Sequence, residues 1–345
     1  MNQHKVTIYT NRQSLLQLNW NKEFISGKFL KGLIKNAKIV LMISEENLDA
    51  IWKDTESDLY KFCEAHDIPK PSCDDFLSQL CENNDLFAEK DSSAIWMVNL
   101  SENDCNEIKK RYGIWIVNTN SINDDYFRLY HQSENYEKDE IIKGTKNNGF
   151  GNYLETSPKP LPPLNSIVLN DRFLFVSENP RVKPEDVFNW GAANTECLLD
   201  TILPDTLRIP FHLLIYCEKP NIDDSTKVEQ LIKDLSDRIK SLRQYSIEVE
   251  FVFSQANHKR FLRSNYFSMN TDLGFNAFYQ NKLTKLRGEN DFLIQSYHNE
   301  PLSLDYHNFK KRLKRIYEEC INVLMENEHN IITTHASTFH NRLFS

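Results

Sequence analysis

Glycine is scarce in this chain, nine residues in 345, and none of the nine belongs to a phosphate-cradling pattern. Neither G-x-x-x-x-G-K-[ST] nor G-x-G-x-x-G occurs, so nucleotide binding through a phosphate loop has no support. G-x-S-x-G is missing too, which removes the nucleophile turn of the α/β-hydrolases. No apolar run approaches the ~20 residues of a membrane span. The longer runs, 39–43 and 213–217, are strand-sized. The seven cysteines are odd in number and scattered, and no C-x-x-C pairs any of them. Cys63-x2-His66 with Cys73 and Cys81 is too irregular for a zinc site, so no metal is expected there. The first residues, MNQHKVTIYTNRQ, contain no signal-like apolar segment, and reduced thiols in a cytoplasm are the expectation.

Hydrophobic residues make up 40% and charged residues 26%, enough to bury a core and to argue against disorder. The length suits two domains. A net charge of −8 excludes a surface coated with phosphate-binding cations, while leaving room for a local basic patch.

The first ~120 residues alternate strand-like and helix-like signals, as an α/β domain does. Short β-rich runs stand at 5–10, 38–43, 95–100 and 114–118. Ser44 and Ser101 are placed to cap the helices that follow them, and Gly113 to end the helix 102–112. Between 121 and 165 the pattern dissolves into NNGFGNYLETSPKPLPPLN, which reads as a linker or long loop with Gly149-Phe150-Gly151 as a flexible turn. Strand signals return at 166–169 and 172–176, then at 211–217 and 247–253. Helices are expected at 190–202, at 227–242 on the spacing of Val228, Leu231, Ile232, Leu235, Ile239 and Leu242, and at 308–325. The expectation is therefore two α/β domains, 1–120 and 166–345.

The segment SIEVEFVFSQANHKRFLRSNYFSMNTDLGFNAF carries the densest chemistry. A hydrophobic strand delivers His258, Lys259, Arg260 and Arg263 to its end, followed by Asn265 and a Gly-Phe turn. The order strand, helix, strand, helix, strand, His-x-Arg resembles a phospholipase D-like unit, most nearly the non-catalytic kind at the C-termini of MIT-domain proteins. IVLNDRFLFV, LLDTILP, FHLLIYCEK and HKRFLRSNYF carry the likeness over roughly 165–330. Active members carry H-x-K-x4-D; here the pattern is H-x-R-x4-N. The resemblance implies phosphate or anion binding by His258, Lys259, Arg260, Arg263 and Asn265. Arg260 preserves bidentate anion binding, whereas Asn265 cannot supply the carboxylate that stabilises an imidazolium. Hydrolysis through His258 would require a dimer, since His340-Asn341-Arg342 stands too near the last residue to head a second motif.

VTIYTNRQSLL, VLMISEENLDAIWKD and KDSSAIWMVNLSENDCNEIKKRYGIWIV resemble the PIN-like nucleases, whose acids hold divalent metal. Carried across, the first aspartate falls on Thr10, with Asn11 fitting after it, Glu46 or Asp49 as the second acid, Asp91 as the third and Asp104 near the fourth. This implies a degenerate acidic site, with weak Mg²⁺ or Mn²⁺ binding as the alternative to none. The last long helix adds a basic stripe at Lys310, Lys311, Arg312, Lys314 and Arg315.

Two readings follow. The first is a non-catalytic or weakly catalytic component that binds nucleic acid or a protein partner within a bacterial assembly, of the antiviral-defence kind on domain pairing. The second is a phosphodiesterase or nuclease, using His258 in a dimer or the acidic set with metal.

Overall fold

The computed structural model describes residues 4–20, 28–76, 79, 86–87, 90–122, 126–133, 149–155, 157, 159–254, 259–279, 282–286, 288, 290–298, 305–326, 331–332 and 339–344. The chain forms two α/β units, each built on its own sheet.

In the first unit β1 (Thr7–Thr10), β2 (Lys38–Leu41), β3 (Ser72–Cys73), β4 (Ile95–Val98) and β5 (Trp115–Asn118) lie parallel in the order β3-β2-β1-β4-β5. Parallel strands covered on both faces need side chains that are apolar without alternation. β4 supplies four such residues, all buried. Its helices are α1 (Arg12–Trp20), α2 (Lys28–Asn36), α3 (Glu45–Lys53), α4 (Asp58–Ala65) and α5 (Glu102–Tyr112). Ser44 caps α3 by accepting from the Asn47 amide, and Ser101 caps α5 through Asp104. Gly113 closes α5 in the left-handed conformation at φ 60°.

Residues 121–165 supply two elements to the second unit. β6 (Tyr130–Ser133) forms one edge of its sheet, pairing with a later strand, and α6 (Gly149–Glu155) packs into its core. Gly149-Phe150-Gly151 is thus the buried first turn of a helix rather than a flexible loop, because Phe150 at 0% exposure anchors it against the core. β7 (Ser166–Asn170), α7 (Pro184–Ile202), β8 (Phe211–Cys217), α8 (Ser225–Lys240) and β9 (Ile247–Phe253) then alternate, with the three strands parallel. Four apolar residues of α8 at helical spacing, Val228, Ile232, Leu235 and Ile239, are buried against this sheet. Each contributes about 1.5–3 kcal/mol relative to exposure.

Beyond β9 the chain turns antiparallel. β10 (Phe261–Ser264), β11 (Phe267–Thr271), the small ribbon β12 (Phe278–Tyr279) and β13 (Lys282–Leu286), and β14 (Phe292–Ser296) precede α9 (Asp305–Glu326) and β15 (Ile331–Ile332). The eight-stranded order is β15-β9-β8-β7-β10-β11-β14-β6. The stretch 172–176 is not a strand. β7 ends at Asn170 because Asp171 turns the chain, its carboxylate accepting from the Phe173 amide at 3.0 Å.

The second unit has an apolar cluster of its own, the cluster on one face of the first sheet takes in Ile209 from the segment before β8, and a third cluster contains residues of both sheets together with α9. Between the units lies a hydrogen-bonded joint. The Tyr266 hydroxyl accepts from the Trp115 amide at 2.8 Å and donates to the Ala94 carbonyl at 2.7 Å. The segment 339–344 closes over the joint. His340 N donates to Glu250 Oε1 at 3.1 Å, Arg342 N to His212 Nδ1 at 3.2 Å, and Ser92 Oγ to the Arg342 carbonyl at 3.3 Å.

Burial pushes the Glu250 carboxyl up to about 7, with nearby Glu248 acting in the same sense and the His340 amide against it. A carboxyl whose folded pKa is raised gives stability that is complete below its unfolded value and lost as the pH rises through the folded one. We expect Glu250→Gln to change stability little at pH 4.5 and to raise it by about 2–3 kcal/mol at pH 8. Urea unfolding at the two pH values measures this. A pH-independent difference between variant and parent would contradict it.

Candidate functional site

The parallel strands β7, β8 and β9 point their carboxyl ends to one edge of the second sheet, and the antiparallel β10 starts there. Ligand crevices of open α/β sheets lie at such edges. Lys259 and Arg260 stand at this edge, immediately before β10, while His258 lies outside the described residues.

Arg260 is held on three sides. Its Nε lies 3.9 Å from Asp171 Oδ1, its guanidinium stacks 5.1 Å from the Phe173 ring, and Nη1 donates to the Asp272 carbonyl. Arg172 stacks on the same ring and pairs with Glu218 at 2.7 Å. A hollow of about 580 Å³, with Phe173, Trp190, Leu273 and Tyr279 among its walls, opens beside Arg260.

Asp171 organises this edge. At 1% exposure it is desolvated, which pushes its carboxyl up to about 6, while the amides of Phe275 and Phe173 and then the Arg260 guanidinium act against the rise. Phe275 N donates to Oδ2 at 2.7 Å. The turn that presents this amide requires Gly274, whose φ is 104° and where a Cβ would meet Asp171 Oδ2 at 2.5 Å. The Gly-Phe turn of the sequence is therefore the lid of Asp171. Sequence reasoning missed Asp171 itself, although N-D-R-F directly after an apolar strand was a usable signal.

The remaining residues of the H-x-R-x4-N stretch do not join Arg260. Arg263 is 4% exposed, lies 4.5 Å from the Phe261 ring and has no partner for its Nε among the described residues. Burial lowers its pKa, the Tyr297 hydroxyl raises it, and Arg312 of α9 lowers it as a neighbouring like charge. Asn265 is fully buried in the joint. Its amide nitrogen donates to the Ser92 carbonyl at 2.9 Å and to the Gly113 carbonyl at 3.1 Å, and its oxygen accepts from Asn165 N at 3.2 Å. The strand β10 lies between Arg260 and Asn265, and five residues of extended chain separate their backbones by roughly 15 Å. The expectation that Arg263 and Asn265 face a ligand beside Arg260 is corrected on this ground.

The acidic set is likewise dispersed. Asn11 caps α1, its Oδ1 accepting from Ser14 N at 2.8 Å. Glu46 is exposed in the first turn of α3. Asp49 pairs with Lys70, whose hydrogen bond lowers the Asp49 pKa. Asp104 accepts from Ser101 Oγ at 2.6 Å. These four lie at or beyond the carboxyl ends of the first sheet, or in the helices that start there. Asp91 precedes β4 and accepts from Ser93 N at 2.9 Å, which puts it at the opposite, amino end of the strands. In a parallel sheet a residue before one strand and a residue after its neighbour are separated by the whole strand length, so Asp91 does not complete the set. Among the described residues no group of three His, Cys, Asp or Glu side chains is placed to hold a metal ion.

Among the described thiols, Cys73 alone is half-buried and the others are withdrawn into the core. Cys63, Cys105, Cys197, Cys217 and Cys320 are buried, and desolvation pushes Cys63 up to about 12. No described helix is long and apolar enough to cross a membrane. Compared with known proteins, the chain matches no protein-family model and no curated protein.

Proposed function

We propose that this chain is a non-catalytic or weakly catalytic binding component, pairing a degenerate PIN-like with a degenerate phospholipase D-like unit. In this reading it holds nucleic acid or a protein partner within a bacterial, cytoplasmic assembly of the antiviral-defence kind. The order β7, α7, β8, α8, β9 and then Arg260 at the carboxyl edge supports the phospholipase D-like reading of the second unit. The observation that carries the functional reading is the scatter of the reacting groups alongside surviving cations. The pattern that would polarise a histidine is split between edge and joint, whereas α9 keeps Lys311 and Arg312 exposed. Among the described residues, ion pairs tie Lys314 to Glu318 and Arg315 to Glu319, and none ties Lys311 or Arg312.

The test is binding of a labelled oligonucleotide across a salt series, with hydrolysis followed in parallel. We expect salt-dependent binding without turnover. Lys311→Glu combined with Arg312→Glu should weaken it and flatten the log K against log salt slope by roughly 1.4, the value for two phosphate contacts on a single strand. Turnover in the parent protein that disappears with His258→Ala would replace this reading with the phosphodiesterase.

A further inference from the structure

The face of the second sheet that α9 covers holds a buried arginine. Arg263 of β10 stands opposite Val168 of β7 and Ser268 of β11, and Phe261 stands opposite Asn170 and Asn270. Residues directly opposite in a sheet share a face, as do residues two apart on one strand. Val168 and Phe261 belong to the apolar cluster under α9, so Arg263 and Asn170 point to that side. Arg263 is 4% exposed, and a guanidinium keeps its charge wherever it is placed. Taken out of water, such a charge needs a counter-charge and hydrogen-bond partners. Among the described residues, Tyr297 and Arg312 of α9 are the groups that act on its charge, and neither is a carboxylate. On a chain with 49 acids to 41 lysines and arginines, that arrangement does not come from a shortage of acids.

The guanidinium is held in place from two sides. It lies 4.5 Å from the Phe261 ring and donates to the Tyr297 hydroxyl, which in turn donates to the Phe267 carbonyl at 2.7 Å. Its Nε has no partner among the described residues. Leaning over Phe261 brings it to the row that Asn170 and Asn270 complete on the neighbouring strands. Asn170 is fully buried, and neither its amide nitrogen nor its oxygen has a partner among the described residues. Asn270 differs, donating to Ser268 Oγ at 3.4 Å. From above, Phe309 of α9 stacks on the Tyr297 ring at 3.7 Å. Arg312, three residues further on, is exposed, and as a like charge it lowers the Arg263 pKa. Among the described acids of α9, Glu319 stands on the same flank as Arg312. It lies about 10 Å further along the helix and is held by Arg315 at 3.0 Å.

Donors on three elements thus face one place: Nε of Arg263 on β10, the Asn170 amide on β7 and the guanidinium of Arg312 on α9. Three directions of approach suit a tetrahedral oxyanion better than a planar carboxylate, whose two oxygens a single guanidinium satisfies. We propose that Arg263, Arg312 and Asn170 seat one phosphate group at the flank of α9, with Arg312 closing the seat toward solvent. This deepens the nucleic-acid reading above and rests on it where the phosphate belongs to a strand. The stripe on α9 then leads the strand in, and the seat takes one of its phosphates. The other source is a free phosphate.

The first probe is inorganic phosphate, added to the full chain at constant ionic strength against chloride and read as a rise of the thermal midpoint. The second is a labelled short oligothymidylate, read by fluorescence anisotropy. Arg263→Met replaces the buried charge by an apolar side chain, a change that leaves stability level or higher where the charge lacks a counter-ion. It should weaken binding of the phosphate or the strand by about tenfold or more. Asn170→Leu should give a smaller loss in the same direction, and decides the matter if Arg263→Met does not fold. A midpoint rise that is lost in Arg263→Met marks free phosphate as a source. If the strand does not bind in that case, the seat stands and the nucleic-acid reading alone falls. Strand binding lost in Arg263→Met, without a response to inorganic phosphate, marks the strand. A midpoint rise of equal size in parent and variants is a general salt effect and counts against the seat. Strand binding that is unchanged in Arg263→Met and Asn170→Leu but lost in the Lys311→Glu, Arg312→Glu protein would overturn the proposal and leave the functional reading standing. No response of the parent protein to either probe would end both.

Discussion

Asn265→Asp should lower the stability of the folded chain by about 3–5 kcal/mol at neutral pH, one of the two largest effects expected from a single substitution here. The Asn265 amide nitrogen donates to two main-chain carbonyls, those of Ser92 and Gly113, in a site without solvent. An oxygen in its place leaves both carbonyls unsatisfied, at about 1–3 kcal/mol each, and sets three acceptors against one another. The new carboxyl would resist ionisation, so its folded pKa would stand above the unfolded one. Its deficit would therefore be smallest in acid and grow as the pH rises through the raised value. Urea midpoints at pH 5 and pH 8 measure both the size and the slope. The consequence for function is direct. Restoring the carboxylate of an active phospholipase D-like pattern, with Arg260→Lys and Asn265→Asp, should weaken the joint between the units rather than produce hydrolysis. An unchanged midpoint in the variant would mean that Asn265 does not hold that joint.

Gly113→Ala should cost a comparable amount, about 3–5 kcal/mol. Alanine in the left-handed conformation costs about 1–2 kcal/mol on its own. At Gly113 the built methyl also meets the Leu164 carbonyl oxygen at 2.2 Å and its carbon at 2.6 Å. Main-chain atoms cannot rotate away as a side chain would, and overpacking of this kind adds about 1–3 kcal/mol. Gly288→Ala is the control, since its nearest neighbour across open space is Leu273 Cδ1 at 3.7 Å. Gly113 is also the acceptor for Asn265, so the two substitutions share one contact and their costs should fall short of additivity in the double variant. A Gly113→Ala protein as stable as the Gly288→Ala protein would show that the units are not packed through this turn.

Local features of the fold could be read directly from residue order. Ser44 and Ser101 cap their helices, Gly113 ends α5, and the apolar spacing of Val228, Ile232, Leu235 and Ile239 marks the buried face of α8. Each of these depends on neighbours within about a turn, and short-range sterics and hydrogen bonding decide it. The expected helices at 190–202 and 308–325 lie within α7 and α9, which begin earlier, and α7 starts on Pro184 at its first turn.

Residues whose meaning depends on a distant partner could not be read that way. Asn265 looked like a weakened catalytic position because only its spacing from Arg260 was visible. Its role is set by carbonyls 173 and 152 residues away in the chain. Asp91 fitted an acidic series by order along the sequence, yet order does not say at which end of a parallel strand a residue stands. Gly149-Phe150-Gly151 looked like a flexible turn because two glycines surround Phe150, and the burial of that ring against β12 and β14 makes it a helix.

Residue order by itself thus determined the α/β class, the alternation of elements and the helix ends, since these follow from periodicity and caps acting over a few residues. Tertiary structure alone decided which polar side chains face solvent and which are spent in the joint. That choice depends on desolvation and on hydrogen-bond partners brought together from both units, and neither is written in the spacing of a motif.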